Sequence, residues 1–269
     1  MAPTPSVIDE PSHPRVRAAR RCHTRTGRVK TGRFLAEGPQ TVREAIGAPG
    51  ALVEVFATPS WLDGPTSMTL PDVPVHLVTD RVLDQVAETT TPQGVVAVCR
   101  DVTVDVDRLL SPAPRLLAVL AEVRDPGNAG TIIRTADAAG ADGVLLTAGS
   151  VDPLSGKCVR ASAGSVFHLP LATGLDESLL DRLRSDGLLV LAADGSSSVT
   201  IDDLAADGAL ARPTAWVLGN EAHGVPSSYA QRVDERVAVP LYGRAESLNV
   251  SVAAALCLYA SAGAQRPAR

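Results

Sequence analysis

Three separated stretches hold polar and charged side chains of types that can do chemistry. Asn128 and Arg134 lie in "EVRDPGNAGTIIRTADAAG" (122–140), Glu221 in "LGNEAHGV" (218–225), and Ser247 and Asn249 in "PLYGRAESLNVSV" (240–252). A guanidinium stays protonated and cannot ordinarily serve as a base, but its planar fork suits carboxylates and phosphates. Glu221 could pair with Arg134 or another arginine and hold that fork in place within a low-dielectric site. Asn128 and Ser247 each stand where a helix N-cap belongs, so capping alone would account for either of them.

Several other chemistries find no support. Pro126, Gly127 and Gly130 read as a phosphate-cradling turn between the apolar run "RLLAVLA" (115–121) and a helix, with Arg134 about two turns along it. That turn has no Lys followed by Ser or Thr, and no G-x-G-x-x-G follows any strand, so a Walker A loop and a Rossmann dinucleotide site both lose support. Cys22, Cys99, Cys158 and Cys257 form no C-x-x-C pair and read as small buried hydrophobes. His13, His23, His76, His168 and His223 lack the short spacing of two ligands on one helix face, so no metal is expected.

The elements that must position these residues fall into two α/β halves. In the first, strands are expected at 33–37, 52–58, 73–78 and 94–100, with helices after Gly38 and around 80–88. The segment 101–114, with its prolines and charges, reads as a linker. From 115 to 269 the runs "LLAVLA", "GVLLTA", "VFHLPLA", "LLVLAAD", "TAWVLGN" and "RVAVPLY" alternate with helical segments such as "ESLLDRLRSDG". Near-continuous apolar strands joined by helices imply a parallel sheet covered on both faces. Ligands of such sheets sit at the carboxyl ends of strands, which is where all three stretches fall.

Charge is distributed unevenly along the chain. The net of −5 conceals a segment, 11–36, that holds Arg15, Arg17, Arg20, Arg21, Arg25, Arg28, Lys30 and Arg33 and no acid. The rest of the chain is strongly acidic, an asymmetry typical of a nucleic-acid contact. If 14–28 is one helix, Arg17, Arg21, Arg25 and Arg28 share a face and meet successive phosphates; a solvated basic helix is the plainer account. With 45% hydrophobic and 20% charged residues the composition is globular, long enough for one large domain or two smaller ones. No apolar run is long enough to span a bilayer and "MAPTPSVIDEPSHPR" has no secretory core, so a cytoplasmic protein is expected.

Taken together, "NAGTIIRTADAAG", "LGNEAHGV" and "ESLNVSVAAAL" resemble the SPOUT superfamily of RNA methyltransferases, and within it the TrmH (SpoU) family of ribose 2′-O-methyltransferases. The resemblance covers about 115–262. "RFLAEGPQTVREAI" and "TPQGVVAV" are similar, more loosely, to a small ribosomal-protein-like RNA-binding domain that precedes this catalytic domain, giving an N-terminal domain at 1–100.

The resemblance implies an α/β fold with a C-terminal SPOUT domain whose parallel sheet ends in a deep trefoil knot. It also implies a homodimer with its sites at the subunit interface. The cofactor implied is S-adenosyl-L-methionine, held mainly by backbone groups at Gly219, Asn220, Val239, Pro240 and Leu248. Asn128, Arg134, Glu221, Ser247 and Asn249 become catalytic candidates. Arg134 either fixes a phosphate while stabilising the emerging alkoxide, or acts as an unusual base. Arg160 and Ser162, in "GKCVRASAGSVFHLP", are placed near the RNA, alongside Arg17, Arg21, Arg25, Arg28 and Arg33. The substrate implied is structured RNA, ribosomal ahead of transfer RNA. An RNA-binding module that keeps the fold without turnover is the second reading; base methylation is disfavoured by "SLNVS".

Overall fold

The computed structural model of the chain describes residues 7–220 and 224–266. The chain divides into two compact units, one of 1–102 with 152–168, the other of 103–151 with 169–269.

The first unit is built on four strands, β1 (Arg33–Glu37), β2 (Leu52–Ala57), β3 (Val75–Leu77) and β4 (Val95–Arg100), in the order β1-β4-β2-β3. β4 runs antiparallel to both β1 and β2, while β3 is parallel to β2. Its helices are α1 (Pro14–Arg20), α2 (Arg25–Thr31), α3 (Pro39–Gly47), α4 (Pro59–Leu62) and α5 (Asp80–Val86). One face of the sheet presents Leu35, Phe56, Val96 and Val98 to Val16 and Ala19 of α1 and to Val82, Leu83 and Val86 of α5. Burying these apolar groups removes them from water and supplies most of the driving force for the layer.

The single helix expected over 14–28 is interrupted. A 3-10 turn at Arg21–His23 is followed by extended Thr24, whose Oγ1 accepts the Gly27 N–H at 3.1 Å and starts α2. A side chain at Gly27 would strike the Arg21 carbonyl, 1.8 Å from the Cβ position, so glycine permits this close return. The break turns Arg28 inward. Its Nε and Nη2 donate to Asp152 Oδ2 at 2.8 and 2.7 Å, and its Nη1 to the Cys22 carbonyl at 2.7 Å.

In the second unit, the six strands β5 (Leu116–Leu120), β6 (Gly143–Thr147), β7 (Leu171–Leu175), β8 (Leu189–Ala193), β9 (Thr214–Leu218) and β10 (Glu235–Val237) lie in the order β10-β8-β9-β5-β6-β7. Every pairing is parallel. α6 (Val106–Leu109) precedes them, α7 (Pro126–Ala139), α9 (Ser178–Ser185), α10 (Ile201–Ala206) and α11 (Ser227–Ala230) run between them, and α12 (Val250–Gln265) follows. α8 (Gly156–Ala161) lies in the excursion 152–168 and packs against β1 of the first unit. Leu117, Val119, Leu145, Val190 and Val217 face a core formed with α6, α9 and α11. α7 and α12 pack against each other and against β5, α7 also against β6 and α12 against β9; Trp216 Nε1 donates to Ser261 Oγ at 2.9 Å. β5 steps out to β6 and β7 on one side, whereas β8, β9 and β10 fill the other, which puts a topological switch point at the carboxyl ends of β5 and β9.

Three sequence expectations change here. "VFHLPLA" is not a continuous strand: Ser165–Phe167 forms a 3-10 turn, and β7 starts only after Pro170, which cannot donate to a ladder. "RVAVPLY" shortens to β10, ending before Pro240. The expected linker carries α6, capped by Asp105; buried Leu109 joins the second core and the Val104 N–H donates to the Leu171 carbonyl at 2.8 Å.

Candidate active site

The first two stretches leave the carboxyl ends of the central strands β5 and β9, and the third follows the edge strand β10. After β5 the backbone turns through Glu122, at φ 55°, and Asp125 caps α7 by accepting the Asn128 N–H at 2.9 Å. The cap is therefore Asp125, and Pro126, Gly127 and Gly130 belong to the helix itself rather than to a phosphate loop before it. Proline suits this first helical position because its missing N–H would have no partner there. Asn128 sits in the first turn, half-buried, and Arg134 is exposed further along the same helix.

After β9 the chain makes a tight return in which the Asn220 N–H donates to the Gly224 carbonyl at 3.0 Å, and the Gly224 N–H to the Asn220 carbonyl at 2.8 Å. A Cβ on Gly219 would lie 2.2 Å from the Gly224 carbonyl carbon, so glycine is required for the two backbones to approach. Glu221 and His223 lie outside the described residues.

After β10 the chain passes half-buried Val239 and Pro240, then exposed 241–247, before α12. The cap of α12 is Asn249, not Ser247: its Oδ1 accepts the Ser251 N–H at 2.9 Å and the Ser251 hydroxyl at 2.5 Å. The other end of the same amide, Nδ2, donates to Asn128 Oδ1 at 3.0 Å. This bond joins the start of α12 to the start of α7 and brings two of the three stretches together.

Beside it lies a cleft that collects the third. Gly219, Asn220, Val239, Ser247 and Leu248 line it, together with Val237, Val250 and Ala253. Pro240 lines a neighbouring apolar groove with Leu248, Tyr242 and Leu256. Arg134 does not line the cleft. Sequence reasoning missed Asp194, Gly195 and Glu246, which do. The available signal was "AADGSSS" at the carboxyl end of β8. Ser196 donates to Asp194 Oδ1 through its hydroxyl, at 2.7 Å, and its N–H, at 2.9 Å; these bonds hold the Asp194 carboxyl below its ordinary pKa.

The remaining nominated residues belong to the first unit. Arg17, Arg21 and Arg25 are exposed and Arg33 half-buried, with Nη1 3.9 Å from Glu54. Arg28 is 7% exposed and committed to Asp152 and the Cys22 carbonyl, which removes it from the set of surface phosphate contacts. Arg160 Nη1 donates to Glu37 Oε1 at 3.1 Å, and the Ser162 hydroxyl is buried on the Val159 carbonyl. All four cysteines are buried, and burial pushes the Cys257 thiol up to about 12. Among the described residues no group of three or more His, Cys, Asp or Glu side chains is arranged to hold a metal ion.

A parallel sheet with an apolar cleft at its switch point, lined by backbone turns, defines a protein that binds a small ligand across its strand ends. The chain belongs to the SpoU rRNA methylase family, whose model matches residues 115–259, and an MRM3-like substrate binding domain matches residues 13–97. It is 35% identical to the 23S rRNA (guanosine(2553)-2′-O)-methyltransferase RlmP of Bacillus subtilis, over 94% of this chain and 97% of that protein. It is 36% identical to the 23S rRNA (guanosine-2′-O-)-methyltransferase RlmB of Bordetella pertussis, over 70% of this chain and 77% of that one. Among solved structures, the AdoMet-bound rRNA methyltransferase of Sinorhizobium meliloti superposes with a TM-score of 0.79 at 29% identity, over 95% of this chain and 97% of that chain. The lining fits S-adenosylmethionine in kind: Val237, Val239 and Leu248 would offer apolar walls to an adenosyl group, and the carboxylates of Asp194 and Glu246 would offer acceptors to its hydroxyl and cationic groups.

Proposed function

We propose that the chain methylates a ribose 2′-hydroxyl of ribosomal RNA, with S-adenosylmethionine as donor. The observation that supports this reading is the Asn249–Asn128 hydrogen bond, which joins the first and third motif stretches, the third of which lines the cleft through Ser247 and Leu248. The donor supplies a methyl group on a positively charged sulfonium, and transfer leaves a neutral thioether, so no covalent enzyme intermediate is needed.

The chain's own residues have two tasks: alignment, and handling the hydroxyl proton. Gly219, Val239 and Leu248 hold the donor through backbone groups and apolar contact. Asn128 and Asn249, fixed by each other, orient the ribose. Arg134 pairs with the neighbouring phosphate, one oxygen of which accepts the hydroxyl proton, and stabilises the alkoxide as it forms. Glu221 is kept as a catalytic candidate on its motif position alone, and Ser247 donates at the transfer centre. Arg17, Arg21, Arg25 and Arg33 take up phosphates in the first unit. Residues 1–100 serve as the substrate-binding domain and 115–269 as the methyltransferase domain.

The same reading includes the trefoil knot, a homodimer and a cytoplasmic setting. Val252, Leu256 and Tyr259, spaced one helical turn apart along α12, expose apolar side chains as a protein contact would. The test is direct: incubate the protein with labelled cofactor and ribosomal RNA from cells lacking its gene, digest, and identify the labelled nucleoside. A 2′-O-methylated nucleoside is expected. Label on a base rejects the assignment, and cofactor binding without transfer favours an RNA-binding module that has lost turnover.

A further inference from the structure

The first unit contains a polar cavity of about 270 Å³ that the methyl-transfer chemistry leaves unused. It is walled by the turn after β1 with Glu37, Gln40 and Thr41, by the 88–93 loop with Thr89, Thr91 and Gln93, and by Arg160 of α8. Gly38 makes the turn at φ 84°, and a Cβ there would come within 3.0 Å of Gln93 Oε1, so the absent side chain keeps Gln93 against the turn.

Charge decides what this cavity takes. The Glu37 side chain is 3% exposed and both its oxygens are engaged. Oε1 accepts the Glu88 N–H at 3.0 Å and Arg160 Nη1 at 3.1 Å, and Oε2 accepts the Thr89 N–H at 3.1 Å. Arg160 is thus neutralised in place. The Glu88 carboxyl lies against α8, since a Cβ on Gly156 would meet its Oε2 at 2.2 Å. Burial, with a smaller contribution from Glu37, pushes the Glu88 pKa up against the opposing charges of His23, Arg28 and Arg160. Two carboxyl groups around one guanidinium leave no excess positive charge for a phosphate. What remains is a rim of neutral groups, the exposed amides of Gln40 and Gln93 and the exposed hydroxyl of Thr91, each able both to donate and to accept.

We infer that this cavity is a nucleobase site, which takes one unpaired base of the RNA substrate and reads its hydrogen-bonding edge through Gln40, Thr91 and Gln93, with Arg160 pre-set by Glu37. Sequence-specific RNA recognition works mainly this way, on splayed-out bases held by edge hydrogen bonds and guanidinium planes. The inference rests on the reading of the chain as an RNA methyltransferase and adds a source of selectivity that the Arg17, Arg21 and Arg25 phosphate contacts cannot provide.

The full chain, wild type and Gln40→Ala/Gln93→Ala, is incubated with a stem-loop RNA library randomised in the loop, and bound RNAs are sequenced. Wild type is expected to prefer one nucleotide at one unpaired position; the variant should lose that preference by about tenfold. Thr91→Leu, which fills the cavity from its rim, should do the same. The salt dependence of binding should not change, because no phosphate contact is removed. An unchanged preference overturns the inference, as does a uniform loss across all loops with a shallower salt slope. Labelled methyl transfer to ribosomal RNA is measured on the same wild-type preparation. Transfer with an indifferent cavity refutes the base site alone, whereas absence of transfer by wild type refutes the functional reading.

Discussion

At the residue scale, Arg134 and Asn249 separate chemistry from scaffolding. Arg134 is exposed on α7 and outside the cofactor cleft, so Arg134→Ala should lower kcat by about 10²- to 10⁴-fold while the dissociation constant for S-adenosylmethionine stays within about twofold of wild type. Isothermal titration beside labelled transfer decides this; a large loss of cofactor affinity would remove Arg134 from the role given. Asn249 does two jobs with one amide, capping α12 with its oxygen and holding Asn128 with its nitrogen. Asn249→Ser keeps a capping oxygen but not the donor, so its melting temperature should stay near wild type while transfer falls sharply. Asn249→Ala should lose both, with about 1 kcal/mol of stability in addition. Equal activity in Asn249→Ser and wild type would make the residue a cap and nothing more. The sequence named both asparagines, yet placed the caps at Asn128 and Ser247 instead of Asp125 and Asn249. Several neighbouring polar residues satisfy the same local rule, and only the path of the incoming chain selects among them.

At the element scale, the strands of the second unit were legible because a parallel sheet buried on both faces is written as near-continuous apolar runs, and 116–121, 143–146, 188–193 and 215–218 are such runs. The excursion 152–168 was not legible. Its attachment depends on Asp152 with Arg28, Arg160 with Glu37, His168 with Glu44, and Phe167 stacked on Phe34 at 5.6 Å, pairings more than a hundred residues apart that no local pattern encodes. The basic run shows the same limit, since a helical wheel drawn over 14–28 cannot foresee the stop at Thr24. Arginines on either side of that break should therefore differ in what they do. Arg28→Ala leaves Asp152 without its partner and should destabilise the chain by about 3–5 kcal/mol, read as a lower denaturation midpoint in urea. Replacing exposed Arg17, Arg21 and Arg25 with Ala should leave that midpoint nearly unchanged, weaken RNA association and flatten its salt dependence. A preserved salt slope in the triple variant would show that the phosphates are met elsewhere.

At the scale of the whole molecule, the exposed face of α12 is the feature a solitary chain does not explain. Val252, Leu256 and Tyr259 are each about half exposed, and Leu241 and Tyr242 add further apolar surface on the loop leading to the helix, Tyr242 being 90% exposed. Scattered apolar side chains are ordinary, but a row at helical spacing beside a functional cleft marks a contact surface. The 241–247 loop also walls that cleft through Leu241, Glu246 and Ser247, so an occupant of this face would order the cofactor site as well as cover the helix. In the proposed homodimer a second copy of the chain would satisfy both requirements. Sedimentation at micromolar concentration should give a dimer. Leu256→Asp, which buries an unpaired carboxylate only if the dimer forms, should give a folded monomer, since Leu256 contributes little to the interior of a single chain. Cofactor affinity should fall in parallel, by tenfold or more, because the 241–247 loop loses its support. A Leu256→Asp protein that remains dimeric would place the interface elsewhere. A monomeric variant with undiminished cofactor affinity would show instead that each cleft is complete within its own chain, and that pairing serves RNA engagement alone.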